Sequence, residues 1–189
     1  VPTLAQLDQF GLEQAYVSTL QAVSGAGYDG VTSMEIIDNV LPHIGGEEEK
    51  METESRKLLG EFDGAELNWH DVDVTASCNR VATLDGHLEN VFASLREDAA
   101  PEDVEAAFRD APTIDLHSAP DELIKVFEDP NRPQPRLDRN VAGGQGVATG
   151  PVQETSDGVQ YDCLAHNTIR GAAGASVLNG ELLVEEGYL

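Results

Sequence analysis

Three short stretches carry side chains able to do chemistry. In the first, Ser77-Cys78-Asn79-Arg80 is followed by His87 across an Asp85-Gly86 turn. A thiol, a guanidinium and an imidazole that converge would supply a nucleophile, a two-pronged clamp for a carboxylate or phosphate, and a proton carrier. The plain alternatives are a buried cysteine acting as a small apolar filler and a histidine that belongs only to a turn. In the second, Gln21-Ala22-Val23-Ser24-Gly25-Ala26-Gly27 is a strand end running into a glycine loop. Such a loop can bring backbone N–H groups to an anion, but it lacks the lysine of a phosphate-binding loop and the G-x-G-x-x-G spacing, so it also reads as a tight connection. In the third, Glu47-x-x-Lys50 places an acid and a base on one helical face, a spacing shared with solvated surface pairs. Arg132, Arg136 and Arg139 form the densest positive cluster, suited to an anion or to the acidic surface itself, and Asn167 after His166 is a candidate helix N-cap.

The elements that must position these residues follow from periodicity. Residues 3–10 suit a short helix and 15–23 a buried strand that ends in the glycine loop. Thr32-x-x-Glu35 has capping-box spacing, and Ile37, Val40, Leu41 and Ile44 follow at helical intervals, predicting a helix from about 32 to Gly45. Three glutamates at 47–49, with Arg56 and Lys57 at the far end, predict a second helix to about Leu59 along the macrodipole. Strands are expected over 69–81 and 87–96, either side of Asp85-Gly86, and a helix from Pro101 to about Asp110 buries Val104, Ala107 and Phe108. A short strand over 123–127, an extended proline-bearing loop over 131–140, a hairpin of 146–153 with 159–165 around Ser156-Asp157-Gly158, and a helix from Thr168 to Leu183 with one face of small residues complete the chain. The expected class is α+β, a mixed and largely antiparallel sheet covered by helices on one face.

Composition narrows the partners. The 189 residues hold 35 acids against 11 bases, a formal charge of −24, which opposes binding to nucleic acid or an anionic membrane. With 40% hydrophobic residues the chain can build a core, so the acidity marks a salt-adapted surface rather than disorder. No apolar run reaches the roughly 18–20 residues of a membrane span and no signal-peptide pattern is present, so a cytoplasmic home is expected. Two cysteines without C-x-x-C spacing and five scattered histidines give no metal box and no disulfide framework.

Taken together, Ser18 to Gly27, Gly46-Glu47-Glu48-Glu49-Lys50, Ser77-Cys78-Asn79-Arg80-Val81, Leu84-Asp85-Gly86-His87, Arg132-Pro133-Gln134-Pro135-Arg136-Leu137-Asp138-Arg139 and His166 to Ser176 resemble, in order and spacing, the C-terminal half of aspartate-semialdehyde dehydrogenases of the archaeal and fungal branch. The resemblance runs nearly from Val1 to Leu189. It implies a domain like the C-terminal domain of glyceraldehyde-phosphate-dehydrogenase-like enzymes, acting with NADPH on L-4-aspartyl phosphate to give L-aspartate 4-semialdehyde. By the same resemblance His87 is the proton-handling histidine, Gln21 orients the acyl intermediate and Arg80 clamps the substrate carboxylate. Glu47, or Glu48 in a shifted register, contacts the substrate amino group, and Lys50 holds phosphate. Ser24, Gly25 and Asn167 lie by the nicotinamide end of NADP. Residues 1–167 would form the catalytic and dimerisation domain, a homodimer or tetramer joined through the sheet, and 168–189 a helix returning to the NADP-binding domain.

The family's nucleophilic cysteine, in an Asn-Cys pair, and its Rossmann half have no counterpart in these residues. Cys78 belongs to a different segment of the pattern and is not that nucleophile. The chain by itself is expected to be inactive. Two rival readings are a malonyl- or succinyl-CoA reductase of the same fold and a noncatalytic dimerisation module.

Overall fold

The computed structural model describes residues 1–189. Helix α1 (Pro2–Leu7) starts with proline in its first turn, where the missing N–H costs nothing. A 3-10 turn (Asp8–Phe10) ends at Gly11, whose φ of 73° lets the chain reverse into strand β1 (Leu12–Gln21). There follow α2 (Ser33–Ile36), α3 (Glu47–Leu58), the ribbon β2 (Glu61–Phe62) and β3 (Leu67–Asn68), then β4 (Asp73–Arg80) and β5 (His87–Leu95). The second half contains α4 (Pro101–Arg109), β6 (Ile124–Val126), α5 (Pro135–Asp138), β7 (Val147–Thr149), β8 (Gln153–Glu154) and β9 (Gly158–Ala165). A π-helical stretch (Ile169–Ala173) then runs into α6 (Gly174–Glu185).

The main sheet has the order β4-β1-β5-β9-β7-β6, with β8 paired to β9. The pairs β1/β4 and β6/β7 are parallel and the others antiparallel, which is the expected mixed sheet of an α+β domain. Period-two alternation along β1 buries Ala15, Val17, Thr19 and Gln21 on one face and leaves Tyr16 half exposed on the other. Leu4 and Leu7 of α1 and Val104 and Phe108 of α4 join the core on the inner face with Val74, Val91, Val159 and Tyr161. Phe108 is fully buried and meets Tyr161 edge-on at 5.1 Å, a burial that contributes roughly 2–3 kcal/mol.

The free edge of β4 is closed by the segment that precedes it. Leu41 exchanges two backbone hydrogen bonds with Arg80, while Glu48 and Glu52, one helical turn apart on α3, accept from the N–H groups of Cys78 (3.1 Å) and Ala76 (3.5 Å). This arrangement overturns the helix expected from 32 to Gly45. The helix stops at Ile36, Thr32 makes no side-chain cap, Asp38 turns the chain with φ of 56°, and Ile37 and Val40 are exposed. Backbone groups of Leu41 that a helix would have used internally go to the strand instead.

The loop over 131–140 is likewise not wholly extended. Pro135 opens the short helix α5, and buried Asp138 accepts from Arg132 through both carboxylate oxygens and from the Gln134 N–H (2.6 Å). Strand β1 starts three residues before the expected position and stops at Gln21, β4 is confined to Asp73–Arg80, and the expected pairing of 146–153 with 159–165 is present, its first arm divided into β7 and β8, both antiparallel to β9. No helix is long and apolar enough to cross a membrane.

Candidate active site

Strand register decides which reactive residues meet. Gln21, the last residue of β1, lies opposite Arg80 on β4 and opposite His87 on β5. In-register neighbours share a face, so the three side chains form one row on the helix-covered side, with strands spaced about 4.8 Å apart. Ala165 of β9 continues the row beyond His87.

The row is polar, buried and incompletely satisfied. Arg80 is only 6% exposed, and its Nη1 donates to the carbonyl of Ala22 at 2.8 Å. The arginines that do form ion pairs are Arg96, Arg109 and Arg132. Gln21 donates through Nε2 to Glu47 Oε1 at 3.1 Å, while its Oε1 is buried with no partner. His87 Nε2 is also buried without a hydrogen bond, 3.7 Å from Glu89 Oε1. Unpaired buried polar groups are rare in a core selected for stability, and a buried guanidinium without an acid is a ready receptor for an anionic group.

The glycine loop lies against this row. A Cβ on Gly25 would stand 3.0 Å from Gln21 Cδ and 3.2 Å from Arg80 Nη1, so bare backbone is what lets the loop approach. Asn167 does not cap a helix. Its Oδ1 accepts from the Gly86 N–H and its Nδ2 donates to Ser24 Oγ, both at 2.8 Å. One amide thus ties the glycine loop, the turn before His87 and the start of the last helical stretch together. Gly86, with φ of 117°, has Pro135 at 3.0 Å from where a Cβ would be, so the proline loop braces the same turn. Arg139 donates to the Asp85 carbonyl at 3.4 Å, and Arg132 stacks over Phe127 at 4.5 Å while pairing with Asp138. Two of the three clustered arginines are therefore engaged in holding the loop; Arg136 is exposed.

Consecutive helical residues diverge by about 100°, which separates the glutamates at the start of α3. Glu47 reaches Gln21, whereas Glu48 accepts the Cys78 N–H and lies 3.7 Å from His43. Lys50 stays outside the cluster: its side chain is exposed and lies 4.0 Å from Glu54. Neither thiol is poised to attack. Cys78 is buried and donates to Met51 Sδ, Cys163 is buried and donates to Glu89, and burial pushes both thiols up from their ordinary range, Cys163 strongly.

A family model described as the semialdehyde dehydrogenase dimerisation domain matches residues 4–170. The chain belongs to that family. Aspartate-semialdehyde dehydrogenase of Archaeoglobus fulgidus is 46% identical over 187 residues, covering 98% of this chain and 54% of the relative, and that of Aspergillus fumigatus is 44% identical over 205 residues, covering 100% and 56%. The crystal structure of the Candida albicans aspartate semialdehyde dehydrogenase with NADP superposes with a TM-score of 0.88 at 36% identity, over 100% of this chain and 55% of that one. The chain therefore spans about half the length of the semialdehyde dehydrogenases it matches.

One neighbour of the row was not singled out from the sequence. Glu89 stands two residues after His87 on β5, and a strand period of two was the signal that would have put both on one face.

Proposed function

We propose that this chain is the substrate-binding and dimerisation half of an NADP-dependent aspartate-semialdehyde dehydrogenase, which converts L-4-aspartyl phosphate to L-aspartate 4-semialdehyde on the route to lysine, threonine, methionine and isoleucine. The observation that carries this reading is the row of Arg80, Gln21 and His87, with its buried guanidinium free of any acid. In this reading Arg80 grips the substrate carboxylate, and Glu47, already turned toward Gln21, accepts from the substrate amino group. The free Oε1 of Gln21 orients the acyl group, and His87 carries a proton at the reacting end. Lys50, exposed beside Glu54, is the phosphate contact in this reading. The attacking thiol comes from outside these residues, because Cys78 and Cys163 are buried and held protonated.

Ser24, the bare backbone of Gly25 and Asn167 fit the nicotinamide end of NADP, since the missing Cβ at Gly25 leaves a cradle beside Gln21 and Arg80. When bound, the dinucleotide supplies hydride to the acyl carbon. Exposed Val177, Leu182, Leu183 and Val184 support the docking of residues 168–189 on a cofactor domain. The open sheet face, with half-exposed Tyr16 and Phe92 opposed in register, supports joining two copies there. The −24 charge supports a salt-rich cytoplasm as the working medium.

The test uses the complete enzyme, in which this chain is continuous with a cofactor-binding half. Phosphate-dependent oxidation of the semialdehyde with NADP is expected there and no turnover by the 189-residue chain alone. Preference for malonyl-CoA over aspartyl phosphate in direct competition would make it a CoA-thioester reductase instead. Glu47 favours the amino-acid substrate, because a malonyl group has no amine for it to hold.

A further inference from the structure

Glu89 is a carboxylate on the helix-covered face of the sheet, with Thr19 and Cys163 as its in-register neighbours and 26% of its side chain exposed. Both of its oxygens have a direction. Oε2 accepts from the Cys163 thiol at 3.3 Å, and Oε1 faces His87 Nε2 at 3.7 Å. The thiol is buried, and burial together with Glu89 itself keeps it protonated, so it remains a donor to the carboxylate. No element of the reading above uses either residue.

We infer that Glu89, oriented by the Cys163 thiol, is a positioning residue that fixes the ring and the tautomer of His87. The inference rests on the role proposed for His87. An ionised carboxylate can only accept, so the ring nitrogen facing it must carry the hydrogen, which leaves the lone pair on the other nitrogen for the reacting group. His87 then takes one proton at that second nitrogen or returns it there, and no bond to Glu89 or Cys163 is made or broken. A separation of 3.7 Å exceeds hydrogen-bond length, and such contacts commonly tighten only when the substrate complex forms. Other charged or titratable groups nearby are Glu54 of α3 and the amino group of Val1, which line the same pocket, Arg80 and Glu47 on the far side of Gln21, and the Cys163 thiol beyond Glu89. None of these forms a hydrogen bond or ion pair with His87 Nε2.

The test is made on the complete enzyme labelled with 15N-histidine, comparing Glu89→Gln with the parent. An amide can accept or donate, so the obligation on the ring disappears. The expected result is a single His87 tautomer in the parent, a mixture in Glu89→Gln, and a 10- to 100-fold fall in kcat with KM within about twofold. Glu89→Asp should restore much of the loss. An unchanged tautomer, or an unchanged kcat, overturns the inference. If Glu89→Gln does not fold, Cys163→Ala removes only the orienting donor; it should lower kcat several-fold with Cys163→Ser restoring it, and a folded Cys163→Ala enzyme of full activity also overturns it. Absence of dehydrogenase activity in the parent would instead defeat the functional reading, while the ring spectrum would still report whether Glu89 sets the tautomer.

Discussion

On the inner face of the sheet, the first and last halves of β1 keep opposite company. Ala15 and Val17 lie in register with Val74, Val91 and Ala93, under the leucines of α1 and the Val104 and Phe108 stripe of α4. Thr19 and Gln21, a few residues further along the same strand, lie in register with Cys78, Arg80, His87 and Glu89. The first end is apolar apart from the buried Tyr161 hydroxyl; the second holds a buried cation without an acid and two more buried polar atoms without partners. A single strand therefore anchors the fold at one end and leaves polar groups unpaired at the other, which is where the proposed function places the substrate.

The sharpest way to break this contrast is at the apolar end. Phe108→Ala should lower the stability of the domain by about 3–5 kcal/mol in a thermal or denaturant melt, because it leaves a cavity between α4 and Tyr161. A loss below about 1 kcal/mol would mean that the core is not concentrated there. At the polar end, Arg80→Met should do the reverse. In the complete enzyme kcat/KM should fall about 100- to 1,000-fold, equivalent to roughly 3–4 kcal/mol of transition-state binding, with the melting temperature equal to or above that of the parent once an unpaired buried charge is gone. A melting point lowered as far as by Phe108→Ala would class Arg80 with the core.

The smallest effect is expected at the tie between the two loops of the polar end. Asn167→Ala leaves the Gly86 N–H and Ser24 Oγ without their partner, a cost of about 1–2 kcal/mol. Hydrogen exchange should accelerate at Gly86 while the amides of Ala15 and Val17 keep their protection. Equal acceleration at both ends would show that they open as one unit.

Elements with a strong local pattern were legible from the sequence. The extended stretches that became β4 and β5, the acid-to-base polarity of α3 and the Val104/Phe108 stripe of α4 all matched the structure, because each is a property of neighbours along the chain. The stretch from Ile37 to Ile44 misled for the complementary reason. Its helical spacing was genuine, but the backbone of Leu41 found better partners on the edge of β4. Asn167 read as a cap because only the fold brings it to Ser24 and Gly86.

The sequence by itself determined the class of the domain, the residue types of the site and, through motifs in order, the family to which they belong. Tertiary structure alone decided that Gln21 sits between Arg80 and His87, that Glu47 rather than Glu48 turns toward it, that Lys50 stays outside, and that Glu89 stands behind the histidine. The division is physical. Periodicity is written into consecutive residues, whereas strand register is chosen by the cooperative packing of segments that lie tens of residues apart, and a shift of one residue would turn every one of these side chains to the opposite face.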